Sequence, residues 1–280
     1  MRYIANAKIN FTLDIKGKRE DGYHLIDSVM QSVSLFDIVE VNKGEKISVN
    51  CGDDEISGEK NIAYKAAKEF FEFTGVEGGA FITIEKHIPK AAGLGGGSAD
   101  AAAVIVGLND LYKTELTDKQ LMEIGLKVGA DVPFCIMGGT MRAMGIGEIL
   151  EPLPDFPKKH IVIAKNGEKL STKEMYEKID NGALLRDKTE DFINFLYKGD
   201  FKNALKNTGN AFLSVCSVEN IKELSENLSP LCVGLSGSGP SVYAVFSDKV
   251  SAKEFAEKLS EVGLIPYLAE ISRFGVKETE

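Results

Sequence analysis

The chain has 280 residues, 44% hydrophobic and 27% charged, with a formal net charge of −9. This is the composition of a soluble globular protein with room for one large domain or two ordinary ones. It excludes two partner classes: an acidic chain with no basic stripe repels nucleic-acid backbones, and the longest apolar stretch, Ala101 to Leu108, falls far short of the roughly 20 residues of a membrane span.

No signal or transit peptide is visible at the N-terminus, and the four cysteines (Cys51, Cys135, Cys216, Cys232) are scattered without a Cys-x-x-Cys pair. Both features predict a cytoplasmic protein with reduced thiols. The three histidines are equally dispersed, so a His/Cys metal site is not expected. Residues 2–15 alternate, with Ile9, Phe11 and Leu13 on one face and Asn6, Lys8, Asn10 and Thr12 on the other, which predicts a strand with one buried face. Lys8 and Asn10 point the same way from that strand, onto a face that is either solvated or part of a site. Asp21-Gly22-Tyr23-His24 follows, either a plain Asp-Gly hairpin turn or a loop presenting an aromatic ring to a flat ligand.

Further strands are predicted at 33–41, 46–50 and 80–86, and helices at 61–74, 98–112 and 117–128. The last opens on the capping box Thr117-Asp118-Lys119-Gln120 and stops at Gly129. Asp131 sits in the apolar turn Gly129-Ala130-Asp131-Val132-Pro133-Phe134, as a helix cap or as a carboxylate in a partly dry pocket. After a Gly138-Gly139 turn and a strand near 140–144, the segment Glu151 to Pro157 carries three of the chain's eight prolines. That concentration places a domain boundary there, giving domains 1–152 and 153–280. The second half predicts a strand at 160–164, helices over 172–227, strands at 231–236 and 241–246 joined by Ser236-Gly237-Ser238-Gly239-Pro240, a helix at 250–261 and a strand at 264–270. Strands and helices interleave without a regular βαβ rhythm, so the fold class is α+β in two domains.

The segment most telling of function is Pro89-Lys90-Ala91-Ala92-Gly93-Leu94-Gly95-Gly96-Gly97-Ser98, which runs into the Ala-rich helix. Glycine lets a ligand approach the backbone closely. The helix start behind the loop supplies unpaired N–H groups and a positive dipole end, together a phosphate cradle. The spacing is neither that of a Walker A loop nor of a dinucleotide fingerprint, and the protein-kinase motifs are missing. A carboxylate beside a lysine is what phosphorylation of a hydroxyl needs, the carboxylate to take the proton and the cation to stabilise developing negative charge.

Ala7-Lys8-Ile9-Asn10, Arg19-Glu20-Asp21-Gly22-Tyr23-His24, Gly93-Leu94-Gly95-Gly96-Gly97-Ser98, Gly129-Ala130-Asp131-Val132-Pro133-Phe134 and the late Gly-Ser-Gly turn occur in that order. The set resembles the GHMP kinase superfamily, and within it the branch whose substrate is a cytidyl diphosphate polyol, over residues 2 to about 246. The resemblance implies a ribosomal-S5-like N-terminal domain, a ferredoxin-like C-terminal domain and an active site between them. It implies Asp131 as general base, Lys8 beside it, and Asn10 helping to hold the polyol. Tyr23 and His24 would bind the cytosine, with Tyr176 as the opposite aromatic wall. Gly93, Leu94, Gly95, Gly96, Gly97 and Ser98 would wrap the ATP phosphates, Asn61 and Lys86 would lie near the adenosine, and Gly237 and Gly239 would border the substrate phosphates. Mg²⁺ would accompany ATP, held mainly by phosphates and water with Ser98 an available ligand, since no carboxylate cage is visible. The alternatives are a superfamily kinase for homoserine or mevalonate, a decarboxylase of the same fold, and a catalytically silent nucleotide-binding regulator.

Overall fold

The long hairpin made by β1 (Arg2–Lys18) and β2 (His24–Gly44) organises the computed structural model, which describes residues 1–53, 56–167, 171–180 and 187–279. The chain continues through β3 (Ser48–Asn50), α1 (Ile62–Thr74), β4 (Gly79–Glu85), α2 (Gly96–Tyr112), α3 (Asp118–Val128), α4 (Val132–Met137), β5 (Thr140–Gly145) and β6 (Ile149–Pro152). It then passes through β7 (His160–Lys165), α5 (Thr172–Asp180), α6 (Thr189–Tyr197), α7 (Phe201–Lys206), β8 (Gly209–Asn210) and α8 (Glu219–Ser225). The last elements are β9 (Cys232–Leu235), β10 (Ser241–Phe246), α9 (Lys249–Glu261), β11 (Pro266–Glu270) and β12 (Val276–Thr279). Among the described residues no helix is long and apolar enough to cross a membrane. The part of the predicted helical stretch that falls on 181–186 lies outside the described residues.

The first sheet runs β12-β1-β2-β4-β3, with β5 pairing β2 and β6, and β8 pairing β1. The second runs β11-β7-β10-β9, which in chain order within that sheet is 4-1-3-2 with helices after its first and third strands. That is the ferredoxin-like βαββαβ arrangement, and the fold is the two-part α+β one expected. β12 carries the end of the chain back onto β1, with Ala5 opposite Val276.

β1 departs from its predicted single buried face. Asn6, Lys8, Asn10 and Thr12 are no more than 4% exposed. Their face is covered by distant segments: Asn6 Nδ2 donates to Ser272 Oγ, Thr12 Oγ1 accepts from Thr189 Oγ1, and Gly237 N–H donates to Asn10 Oδ1. Each polar group is satisfied, which is what permits its burial. At the bulge between Asn10 and Thr12, Phe11 stacks on Phe192 at 5.4 Å and packs against Phe156 at 5.0 Å and Tyr243 at 6.3 Å. Such contacts are worth about 0.5–1.5 kcal/mol per pair beyond burial. They fasten β1 to both α6 and β10, so the two sheets hold the walls of the cleft between them in one register.

α2 begins two residues earlier than predicted, on Gly96, with Gly95 as its left-handed cap residue at φ 71°. Its Ala run lets the backbone lie close to the sheet: a Cβ on Gly107 would come within 2.9 Å of the Tyr3 ring. α3 carries the capping box predicted from Thr117 and Gln120. The turn at 129–134 is in part a helix, because Pro133 falls in the first turn of α4, where a missing N–H costs nothing.

Candidate active site

A cleft of about 710 Å³ opens between β1, the Gly93–Ser98 loop, the 236–238 turn and α5. Its size suits a nucleotide and a second small molecule. Lys8, Asn10, Tyr23, His24, Asn61, Lys86, Gly93 through Ser98, Asp131, Tyr176 and Gly237 all line it. Gly239 is not among the lining residues; its carbonyl packs under Gly93 instead.

The glycine-rich loop is sewn down at both ends. Leu94, 1% exposed, anchors it in the core, and its carbonyl accepts the Lys8 N–H at 2.9 Å. Gly93 (φ 76°) meets the 236–241 turn: Ser236 Oγ donates to Gly93 O at 3.0 Å, and Ser241 N–H to Ala92 O at 3.2 Å. A Cβ on Gly93 would stand 2.5 Å from the Ser236 carbonyl oxygen, so only glycine allows the two loops to touch. The helix start that follows leaves the N–H groups of its first turn without intrahelical partners, facing the cleft as a cradle for anionic oxygens.

Lys8 and Asp131 meet on the cleft floor. Lys8 Nζ lies 3.7 Å from Asp131 Oδ2 and donates to Asn10 Oδ1 at 2.8 Å. Asn10 is fully buried: Oδ1 also accepts the Gly237 N–H at 2.8 Å, and Nδ2 donates to Ser28 Oγ at 2.8 Å. Its amide is thereby fixed in one orientation, with the oxygen aiming the ammonium and joining the first strand to the 236–241 turn. A bulge between Asn10 and Thr12 adjusts the strand's register at this point. Asp131 stands at the N-cap position of α4, yet its side chain makes no capping hydrogen bond, so the carboxylate is turned to the cleft and not to the helix. The Gly237 N–H is committed to Asn10, whereas Ser238, which carried no assignment from sequence, also lines the cleft.

Lys86 is clamped between two carboxylates. It is ion-paired with Asp37, and with Asp100 at 2.6 Å. Asp37 Oδ1 also accepts the N–H groups of His87 and Ile88 at 2.6 and 2.8 Å. Burial pushes the Asp100 carboxyl well above the usual carboxylate range despite the opposing pull of Lys86, and its Oδ1 is enclosed without a partner. Burial works against the Lys86 ammonium, but the charges and hydrogen bonds of Asp100 and Asp37 outweigh it and raise its pKa. Asn61 serves as the N-cap of α1, accepting Ala63 N–H at 2.8 Å, and its Nδ2 donates to Ile56 O at 2.5 Å. Asp37 and Asp100 were not singled out from sequence, since no local pattern marks two acids that meet only through a shared lysine.

At the other end of the cleft, Tyr23 is 60% exposed on the β1–β2 turn. The turn is closed by Arg19 N–H donating to Tyr23 O at 2.7 Å. His24 is buried, and Tyr176 of α5 stacks on its ring at 4.2 Å with an 11° interplanar angle. Burial, with a smaller contribution from Asp131, pushes the Tyr176 hydroxyl up to about 12. Phe212 packs edge-on against Tyr176 at 5.0 Å.

The cysteines are free thiols, and burial raises the pKa of Cys51, Cys135, Cys216 and Cys232, which leaves them weak nucleophiles. Among the described residues no group of three or more His, Cys, Asp or Glu could hold a metal ion. The cleft lining includes the oxygen donors Ser98 and Asp131, of the kind a hard cation takes.

Two family patterns match the chain: the GHMP kinases N terminal domain over residues 61–139 and the GHMP kinases C terminal region over residues 195–264. The sequence is 42% identical over 269 residues to the 4-diphosphocytidyl-2-C-methyl-D-erythritol kinase of Caldicellulosiruptor bescii, covering 92% of this chain and 94% of that one. It is 41% identical over 268 residues to the protein of the same name from Clostridium perfringens strain 13, covering 92% and 93%. The structure resembles a crystal structure of 4-(cytidine 5'-diphospho)-2C-methyl-D-erythritol kinase, with a TM-score of 0.78, 30% identity and coverage of 97% and 99%. The fold is also shared with a homoserine kinase from Cytophaga hutchinsonii, with a TM-score of 0.77 at 18% identity, covering 99% of this chain and 96% of that one.

Proposed function

The chain belongs to the 4-diphosphocytidyl-2-C-methyl-D-erythritol kinases of the GHMP kinase family, and on that footing we propose that its cleft transfers the γ-phosphoryl group of ATP to the 2-hydroxyl of 4-diphosphocytidyl-2-C-methyl-D-erythritol. The products are the 2-phosphate and ADP, a step of the methylerythritol phosphate route to isoprenoids. The observation that carries the reading is the meeting, in one cleft, of a lysine–carboxylate pair, a glycine-rich helix start and an aromatic end wall.

Asp131 takes the hydroxyl proton as the oxygen attacks phosphorus, and the bond from phosphorus to the ADP oxygen breaks. Lys8, aimed by Asn10, lies where negative charge on the transferring group is stabilised. The first-turn N–H groups of α2 hold the nucleotide phosphates. Little covalent chemistry is left to the protein, so catalysis rests on positioning and charge. Ser98, in the first turn of α2, is the cleft hydroxyl that would help hold Mg²⁺ carried on the ATP phosphates, and the ion would supply neutralisation of phosphate charge. Tyr23, His24 and Tyr176 bind the cytosine. Lys86 and Asn61 shape the adenosine side. Residues 1–152 and 153–280 act as the two domains that form the cleft, with β8 and β12 of the second adding strands to the sheet of the first.

Tyr23→Ala tests the nucleobase end. Base–aromatic stacking is worth about 1–3 kcal/mol per base, so KM for the cytidyl substrate should rise roughly 10-fold or more. KM for ATP should stay near its original value, and the fold should be undisturbed because the ring is exposed. Equal rises in both constants, read in a coupled ADP-release assay, would remove Tyr23 from the cytosine site. The substrate assignment is tested in the same assay by offering the cytidyl substrate, homoserine and mevalonate separately with ATP. Only the first should release ADP at an enzymatic rate.

A further inference from the structure

We propose that Asp180 is a positioning residue that sets which pyrimidine the cleft accepts, by holding His24 so that its Nδ1 meets the base as a hydrogen-bond acceptor. The inference rests on the cytidine reading of the cleft and adds a cause for its preference.

The His24 ring is fixed from several sides. Its backbone pairs with Lys18 across the hairpin, its face lies against Tyr176 at 4.2 Å, and its Nε2 is 2.7 Å from Asp180 Oδ1. Asp180 is itself aligned, because Lys18 Nζ donates to its other oxygen at 2.6 Å. The hydrogen bonds from Lys18 and His24 hold its carboxyl below the usual range, so at neutral pH it is ionised and can only accept. The proton must then sit on Nε2. In the neutral imidazole this leaves Nδ1 with a lone pair and no N–H. Nδ1 takes no hydrogen bond among the described residues, and the residue lines the cleft.

An acceptor at that place matches the exocyclic amino group at position 4 of cytosine, which is a donor. A uracil presents a carbonyl oxygen there, so acceptor would face acceptor. A site built to pair a donor rejects the analogue lacking it, because its own polar group is left unpaired. Asp180 touches no part of the substrate in this account. It acts through His24, and it lies on α5, from which sequence reasoning took only Tyr176.

The test is the ratio of kcat/KM for the cytidyl and uridyl forms of the diphosphate polyol at pH 8 with saturating ATP. It is measured for the parent, Asp180→Ala, Asp180→Asn and His24→Phe. Asp180→Ala should lower the cytidyl-to-uridyl ratio about 10-fold, the scale of one hydrogen bond to a charged group. The change should fall in KM for the cytidyl substrate, with kcat and KM for ATP little altered. Asp180→Asn, whose amide oxygen can still accept from Nε2, should retain more of the ratio than Asp180→Ala. Ring ¹⁵N spectra, simple to assign with three histidines in the chain, should show Nε2 protonated and Nδ1 unprotonated in the substrate complex. If Asp180→Ala leaves the ratio unchanged while His24→Phe lowers it, the role of Asp180 is overturned and the cytidine reading stands. If His24→Phe changes neither the ratio nor KM for the cytidyl substrate, the cytidine reading of this end fails and the inference with it.

Discussion

Asp131→Asn is expected to keep ATP affinity and fold while losing about 10²- to 10⁴-fold in turnover, the scale of a general base. The structure makes this substitution unusually clean. Asp131 occupies an N-cap position, where loss of a capping carboxylate would ordinarily cost stability, but it makes no capping hydrogen bond. The amide is nearly isosteric and removes only the ability to take a proton and the ion pair with Lys8 at 3.7 Å. Lys8 remains held by Asn10 at 2.8 Å, so its ammonium does not drift in the variant. ATP binding by calorimetry and turnover by ADP release therefore separate the two roles. Near-normal turnover would remove Asp131 as the base. A nucleotide-binding regulator of the same fold would be indifferent to the change in every readout.

Lys86→Met is expected to cost about 3–5 kcal/mol of stability, the range for removing one partner of a buried ion pair. Lys86 is the shared partner of two enclosed acids, Asp37 and Asp100, and a thioether leaves both without their cation. The loss should depend on pH with a definite sign. Asp100 has a folded-state pKa raised above its unfolded value. Its contribution is therefore fully favourable below the unfolded value near 3.9 and is lost as pH climbs through the raised folded value. Removing the ammonium raises that value further. The stability gap between variant and parent should be smallest at acid pH and widen as pH rises, measured by denaturant unfolding. A gap that is flat in pH would mean that Lys86 does not lower the Asp100 pKa. ATP affinity should fall as well, since the pair ties the start of α2 to the turn after β4.

The parts of this fold written in local pattern were readable, and the parts written in distant contacts were not. The glycine loop and α2 follow from Gly93 to Leu108, where a tight loop and an Ala run leave few other structures. The capping box at Thr117 marked α3 within one residue. By contrast, β2 starts nine residues before its predicted beginning. Its first half carries Asp27, Ser28 and Gln31, which spoil the alternation, yet each is buried against a remote partner: Arg142, Asn10 and Thr140. β12 has no pattern of its own and exists because β1 offers it an edge. Lys8 is the sharpest case. On its own it reads as a solvated strand lysine sooner than as a site residue. The glycine loop at Gly95 and the 236–241 turn, some 230 residues away in the chain, close over it, and Asn10 and Asp131 make its burial tolerable. The site motifs were legible because phosphate loops and lysine–carboxylate pairs impose narrow spacing. Asp37, Asp100 and Asp180 were not, since each acts by holding another residue and any acid brought to the right place would do.

The most direct test of the central claim is phosphorus NMR of the product formed from ATP and 4-diphosphocytidyl-2-C-methyl-D-erythritol. One new phosphomonoester resonance and ADP in equal amount are expected, with the cytidyl diphosphate linkage unchanged; with Asp131→Asn both should form about 10²-fold or more slowly. A product whose diphosphate linkage is broken, or ATP consumed with no new phosphomonoester, would contradict transfer to the polyol hydroxyl.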